Sequence, residues 1–173
     1  MKRFENLVGR FYALFFLTCI GLTGCGVYSF TGASISPDIK TVSIAEIPNQ
    51  TANGSAGISQ KFTERLKDKF VTETNLDLVN QDADIEFTGF ISGYEISSKA
   101  PTGQQTTALN RLNITVKIDY LNNKKPADGW SQSFSRFADY ESDQNLSSIE
   151  DELIEEINEQ LVEDIFNKAL VNW

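Results

Sequence analysis

Leu112, Ile114, Val116, Ile118 and Tyr120 alternate without a fault with Arg111, Asn113, Thr115, Lys117 and Asp119. A period of two sends one set of side chains to each side of an extended chain. The segment must therefore be a strand with one buried face and one wet face, as in an antiparallel sheet covered on a single side. Other stretches supply its neighbours. Lys40 to Ile47 alternates around Val42 and Ile44 and is ended by Pro48. From Ile85 the pattern is Ile85, Phe87, Ile91, while Phe90, Tyr94 and Ile96 take the opposite parity. Gly89 and Gly93 lie near that switch, which predicts a bulge or strong bend. Asn122 to Gly129 is a turn punctuated by Pro126 and Asp128-Gly129. A fourth strand then runs from Trp130 to Tyr140, carrying Trp130, Phe134, Phe137 and Tyr140.

Two segments have helical spacing instead. Ile58, Phe62, Leu66 and Phe70 recur every four residues, with Ser55 as the expected N-cap and an end near Thr72–Asn75. Ile149, Leu153, Ile157, Leu161 and Ile165 form a longer stripe, opposite Glu152, Glu155, Glu156, Glu159 and Glu163. Ser147-Ser148-Ile149-Glu150 matches a capping box, which would start that helix. Leu76 to Asn80 reads only as a short apolar stretch. The element order is β-α-β-β-β-α. The first two strands, joined through a helix, are expected to be parallel, and the last three form a meander. The expected fold class is α+β, with two helices packed on one face of a four-stranded mixed sheet.

The start of the chain reads as an address. Lys2, Arg3 and Arg10 precede an apolar run from Phe11 to Leu22. About twelve helical residues span roughly 18 Å, short of a ~30 Å hydrocarbon core. The run is therefore the core of a signal peptide and not a membrane span. Leu22-Thr23-Gly24-Cys25 looks like a lipobox, so residues 1–24 are expected to be removed and Cys25 to be lipidated. Residues 25–39, with Gly32, Ser34, Ser36 and Pro37, form the expected tether, and 40–173 the single domain. Phe30 and Ile35 are its candidates for docking on the domain. Cys19 leaves with the leader, so no disulfide is available. Gly26, where Asp would favour inner-membrane retention, is compatible with delivery to the outer membrane.

Composition narrows the function. The chain has 173 residues, 40% of them apolar, enough for one core and too few for two. It has no histidine, so no Ser-His-Asp triad, Cys-His pair or His-ligated zinc site can be built. Net charge is −9, and loss of residues 1–24 leaves −11. Nucleic acid is a poor partner for so acidic a chain. The carboxylate pairs Asp151-Glu152 and Glu155-Glu156 fall on the polar face of a helix, which is a solvated face and not a catalytic pocket. No enzyme activity and no cofactor are expected.

Two constellations have alternatives. Asp139, Glu141, Asp143, Asn145, Ser147 and Glu150 fall at positions 1, 3, 5, 7, 9 and 12 of an EF-hand-like loop. Gln144 occupies the position that wants glycine, and a strand leads in where a helix should, so a capped acidic loop is the simpler reading. Lys99 and Arg111 flank the Ala100–Asn110 loop, and Lys124 and Lys125 sit on the next turn, at the opposite end of a meander. Either pair could meet a phosphorylated headgroup through charge-assisted hydrogen bonds, or serve only to solubilise its loop.

Gly24-Cys25-Gly26-Val27-Tyr28-Ser29-Phe30, the stretch Thr31-Gly32-Ala33-Ser34-Ile35 and the later Ile47-Pro48-Asn49 resemble the lipopolysaccharide-assembly lipoproteins, the LptE family, in its Bacteroidetes-like branch. The resemblance implies the β-α-β-β-β-α fold. It also implies an outer-membrane lipoprotein, anchored by its acyl chains on the periplasmic side. Such a protein plugs the large β-barrel LptD, helps it assemble, and assists lipopolysaccharide insertion into the outer leaflet. Family members bind lipopolysaccharide through basic residues at one end of the sheet, and by position Lys99 and Arg111 are the candidates here. The alternative is a free periplasm-facing lipoprotein that binds a small ligand or peptide at its sheet edge.

Overall fold

A computed structural model describes residues 35–100 and 108–170. The leader, Cys25 and most of the tether lie outside them. The elements are β1 (Thr41–Ile44), α1 (Ile58–Glu73), β2 (Asp77–Leu78), β3 (Ile85–Lys99), β4 (Leu109–Asn122), a 3₁₀ turn (Pro126–Asp128), β5 (Trp130–Glu141) and α2 (Leu146–Leu170). The sheet has five strands in the order β2-β1-β3-β4-β5, not four. The addition is β2. Its pairing includes the long-range backbone bonds Asp77 N–H to Lys40 O and Val79 N–H to Val42 O, each 2.9 Å. β1 is parallel to both β2 and β3, whereas β3, β4 and β5 form the expected antiparallel meander.

The stripes meet in one core. Val42 and Ile44 of β1, Ile85, Phe87 and Ile91 of β3, and Leu112, Ile114, Val116 and Ile118 of β4 are buried against Ile58, Phe62, Leu66 and Phe70 of α1 and Ile154, Ile157, Leu161 and Ile165 of α2. Phe70 sits at its centre, 4.8 Å from the Phe87 ring and 5.2 Å from Phe166. Each fully buried side chain of this size contributes about 1.5–3 kcal/mol. Ile35 and Ile39 pack against the same core, so the end of the tether is docked.

The parity switch in β3 has a physical cause. Pairing with β4 is continuous up to Ile91↔Val116 and resumes at Gly93↔Thr115, so one residue is bulged out between them. Phe90 precedes the bulge and lies on the open face beside Lys117, apart from Tyr94, which turns into the core. Ile96 keeps the core-side parity but is half exposed.

The helix starts differ from expectation. α1 begins after Gly57 with no side-chain cap, and Ser55 contributes only its carbonyl, to Ile58 N–H at 3.1 Å. α2 is capped by Asn145, whose Oδ1 accepts from Ser147 N–H at 3.1 Å, while Ser148 Oγ donates to Asn145 O at 2.6 Å. Glu150 does not close a capping box, because Tyr94 Oη donates to its Oε1 at 2.6 Å.

β5 is an edge strand of 12 residues. An unpaired edge invites pairing with another chain, and an inward-pointing charge is one natural guard against it. Arg136 has the parity of core residues Phe134 and Ala138, and its Nε and Nη2 donate to Asp164 of α2 at 2.6 and 2.7 Å.

Asp84 closes the other end of the sheet. Its Oδ2 accepts from Lys40 N–H at 2.8 Å and Thr41 N–H at 3.1 Å, and Lys124 Nζ lies 2.9 Å from Oδ1. The hydrogen bond from Lys124, then the one from the Lys40 backbone, lowers the carboxyl from 3.8 to about 2. A depressed carboxyl stabilises the fold above its unfolded value, and that contribution is lost as pH falls through the folded one. Melting temperatures of the native chain and Asp84→Asn, followed against pH, should differ at neutral pH. The gap is expected to close between 3.8 and about 2; a gap that stays constant through this range would contradict the linkage.

Candidate functional site

The register decides which basic residues come together. Ser97↔Arg111 and Lys99↔Leu109 pair at one end of β3 and β4, whereas Ile85↔Asn122 pairs at the other. Lys99 and Arg111 therefore share the open face near one end of the sheet, and Lys124 and Lys125 belong to the opposite end, as expected.

The two cations differ in what holds them. Arg111 faces Asp139 across β4 and β5, and its Nε and Nη2 donate to the two carboxylate oxygens at 2.6 and 2.7 Å. Its guanidinium lies over the Phe137 ring, 3.2 Å from the centroid. The hydrogen bond from Arg111 pulls the Asp139 carboxyl down, and the same bond pushes Arg111 up. This bidentate pair commits part of the donor fork before any ligand arrives. Lys99 has no ion pair among the described residues and is exposed. Lys124 and Lys125 are turned to Asp84 and Asp128, the latter at 2.8 Å.

The acidic loop is likewise committed. Both Asp139 oxygens face Arg111, Glu150 holds Tyr94, and Asn145 Oδ1 caps α2. Burial, and then this bond, raise the Tyr94 phenol well above its ordinary value. Three of the six EF-hand-like positions thus serve internal bonds, and no metal-holding group of acidic, Cys or His side chains is found among the described residues.

Around this region the open face is polar and hydroxyl-rich. Thr115 Oγ1 donates to Ser135 Oγ at 3.0 Å, which donates to Asn113 Oδ1 at 2.9 Å. Where β3 runs on past β1, a groove of about 450 Å³ is lined by Asn53, Tyr94, Glu95, Ile96 and Ser97. Ile47-Pro48-Asn49 proves structural. Ile91 N–H donates to Pro48 O at 2.9 Å, and Asn49 Oδ1 accepts from Thr51 N–H at 2.9 Å and its hydroxyl at 2.7 Å, folding the loop back.

Two polar residues and one long-range bond escaped sequence reasoning. Arg136 breaks the alternation of β5, a visible signal once its parity is counted. Asn158 interrupts the Ile154–Val162 column of α2, another visible signal. The Glu150 bond to Tyr94 spans 56 residues and left no local trace.

A family model described as lipopolysaccharide-assembly, LptE, matches residues 39–169. The chain belongs to the LptE family. Solved structures similar to it include a minor lipoprotein from Acinetobacter baumannii, at 14% identity, covering 76% of this chain and 96% of that one, with a TM-score of 0.46. Another is the rare lipoprotein B from Shewanella oneidensis, at 12% identity, covering 75% and 90%, with a TM-score of 0.49. A third, lipoprotein B from Nitrosomonas europaea, shares 13% identity over 83% of this chain and 88% of that one, with a TM-score of 0.48. No curated protein sequence matches the chain. Membership of the LptE family assigns the chain to lipopolysaccharide assembly.

Proposed function

We propose that this chain is an outer-membrane lipoprotein that plugs the β-barrel LptD and scaffolds its assembly for lipopolysaccharide insertion into the outer leaflet. The observation that carries the reading is the family match across residues 39–169. Residues 1–24 are the leader, Cys25 takes the acyl chains on the periplasmic side, and the tether ends at Ile35 and Ile39 on the core.

Three physical features support the plug. Barrel lumens are polar, and the open sheet face carries Asn113, Thr115, Ser133 and Ser135 where a free-standing core would need covering. β3 has 15 residues, so at about 3.3 Å each it extends roughly 50 Å, longer than the ~30 Å apolar band it would stand within. An acidic chain complements Lys and Arg lining a lumen, which favours correct docking. Of the two basic candidates, Lys99 is the one available to a lipopolysaccharide phosphate, and Arg111 holds Asp139 in place of one. The work is positional, with no catalytic step.

Affinity isolation of the native chain from detergent-solubilised envelopes tests the proposal. A co-purifying outer-membrane β-barrel is expected; a chain isolated alone would favour the free-lipoprotein alternative, with the groove at Tyr94 and Ile96 as its site.

A further inference from the structure

α1 and α2 lie side by side, joined by Lys61–Asp151 at 2.7 Å, Arg65–Glu159 at 3.4 Å and Lys69–Glu163. Among the first two pairs lies a cleft of about 230 Å³, lined by Lys61, Glu64, Arg65, Asp68, Glu155 and Asn158. Asn158 is 3% exposed, and its Oδ1 has no hydrogen-bond partner among the described residues. A buried acceptor without a donor is costly, so it marks a place where a donor belongs.

The charges around it say which donor. Lys61 and Arg65 are already turned to Asp151 and Glu159. Glu64, Asp68 and Glu155 remain, Glu64 receiving only the neutral Gln60 amide at 2.8 Å. Counting the ion-pair partners, five carboxylates face two cations. The cleft therefore combines unbalanced negative charge with an orphan acceptor in its wall.

We infer that this cleft receives the arginine side chain of a docked partner protein. A guanidinium has five N–H donors in a planar fork and is weakly hydrated, so one donor can meet Asn158 Oδ1, sealed from solvent in the empty cleft, once the amide turns outward, while others meet the carboxylates. An ammonium is a compact, strongly hydrated charge and fits an amide-plus-carboxylate wall less well. Mostly charged walls with little apolar surface hold a free small cation only weakly, unlike an ordinary ligand pocket, so a free arginine derivative saturates the cleft only at high concentration. An arginine on a docked protein is already positioned by the rest of that interface, which removes much of the entropic cost. The inference concerns the helix face alone and stands whether or not the partner is a barrel.

The test uses the mature chain in detergent micelles, followed by NMR at the Asn158 side-chain amide and the backbone amides of Glu64, Asp68 and Glu155. The probes are arginine, lysine and citrulline, each blocked at both backbone ends. Blocked arginine is expected to shift these signals with saturation, lysine to do so far more weakly, and neutral citrulline not at all. Asn158→Leu should weaken the arginine response at least about tenfold while melting no lower than the native chain, because it removes the orphan acceptor. Asp68→Asn, a substitution outside the core, should weaken it too. Equal responses to arginine and lysine, or an undiminished response in Asn158→Leu, would reduce the effect to general acidic attraction and overturn the inference. So would the absence of saturation, or a marked loss of stability in Asn158→Leu, which would show the amide to be satisfied within the protein.

Discussion

Gly89→Ala is expected to destabilise the fold by roughly 3 kcal/mol or more, lowering the melting temperature by about 10 °C. Gly89 has φ +157°, a conformation that side-chain-bearing residues rarely adopt, and it pairs with Ile118 in the middle of the β3–β4 ladder. A Cβ built there would stand 2.1 Å from the Lys117 carbonyl oxygen. That atom is backbone in a strand held on both sides, so it cannot swing away as a side chain would. Relief requires β3 and β4 to separate next to Phe87 and Ile91, both fully buried. Gly57→Ala is the control, since a Cβ there meets only Lys61 Cε at 3.9 Å and should leave thermal unfolding nearly unchanged. Equal melting of both variants and the native chain would show that β3 does not need its glycine.

The second large effect concerns location. Made in a host whose envelope lacks the partner barrel, Cys25→Ala should move the chain from the membrane pellet to the soluble fraction, with its melting temperature unaltered. Each buried CH₂ of an acyl chain contributes about 0.8 kcal/mol, and stable anchoring takes more than one chain, so losing all of them removes the anchor outright. Without acyl chains the acidic body has little to hold it on an anionic surface. In the sequence Cys25 lies outside the periodic apolar pattern that builds the core, which is why stability should be untouched. Fractionation of membranes followed by calorimetry of the released chain measures both. A variant that stays in the pellet, or that unfolds, would refute the assignment of Cys25 as a tether's end.

The elements readable from sequence are those whose burial is periodic. The faultless alternation of β4 and the four-residue stripes of α1 and α2 each place apolar side chains on one side, and solvent exclusion does the rest. β2 left no such trace, because two exposed residues have no period and pair only through backbone bonds to β1. The caps shifted for a related reason. Ser147 and Glu150 satisfy a local rule, yet Glu150 is claimed by Tyr94 from another strand and Asn145 takes over the cap. At the basic end, the positions of Lys99 and Arg111 on one sheet end were legible from the meander. The commitment of Arg111 was not, because the β4–β5 register that brings Asp139 opposite it depends on the turn at Pro126–Asp128. Asn158 was visible as a break in a stripe, but its lack of a partner shows only once both helices are packed.

The proposed place of this chain is inside a β-barrel. Native mass spectrometry of the complex, isolated through the full-length chain from gently solubilised outer membranes, tests this most directly. The predicted result is one species holding a single copy of this chain, acylated at Cys25, with a single β-barrel. A spectrum containing only the free chain, acylated or not, would contradict it.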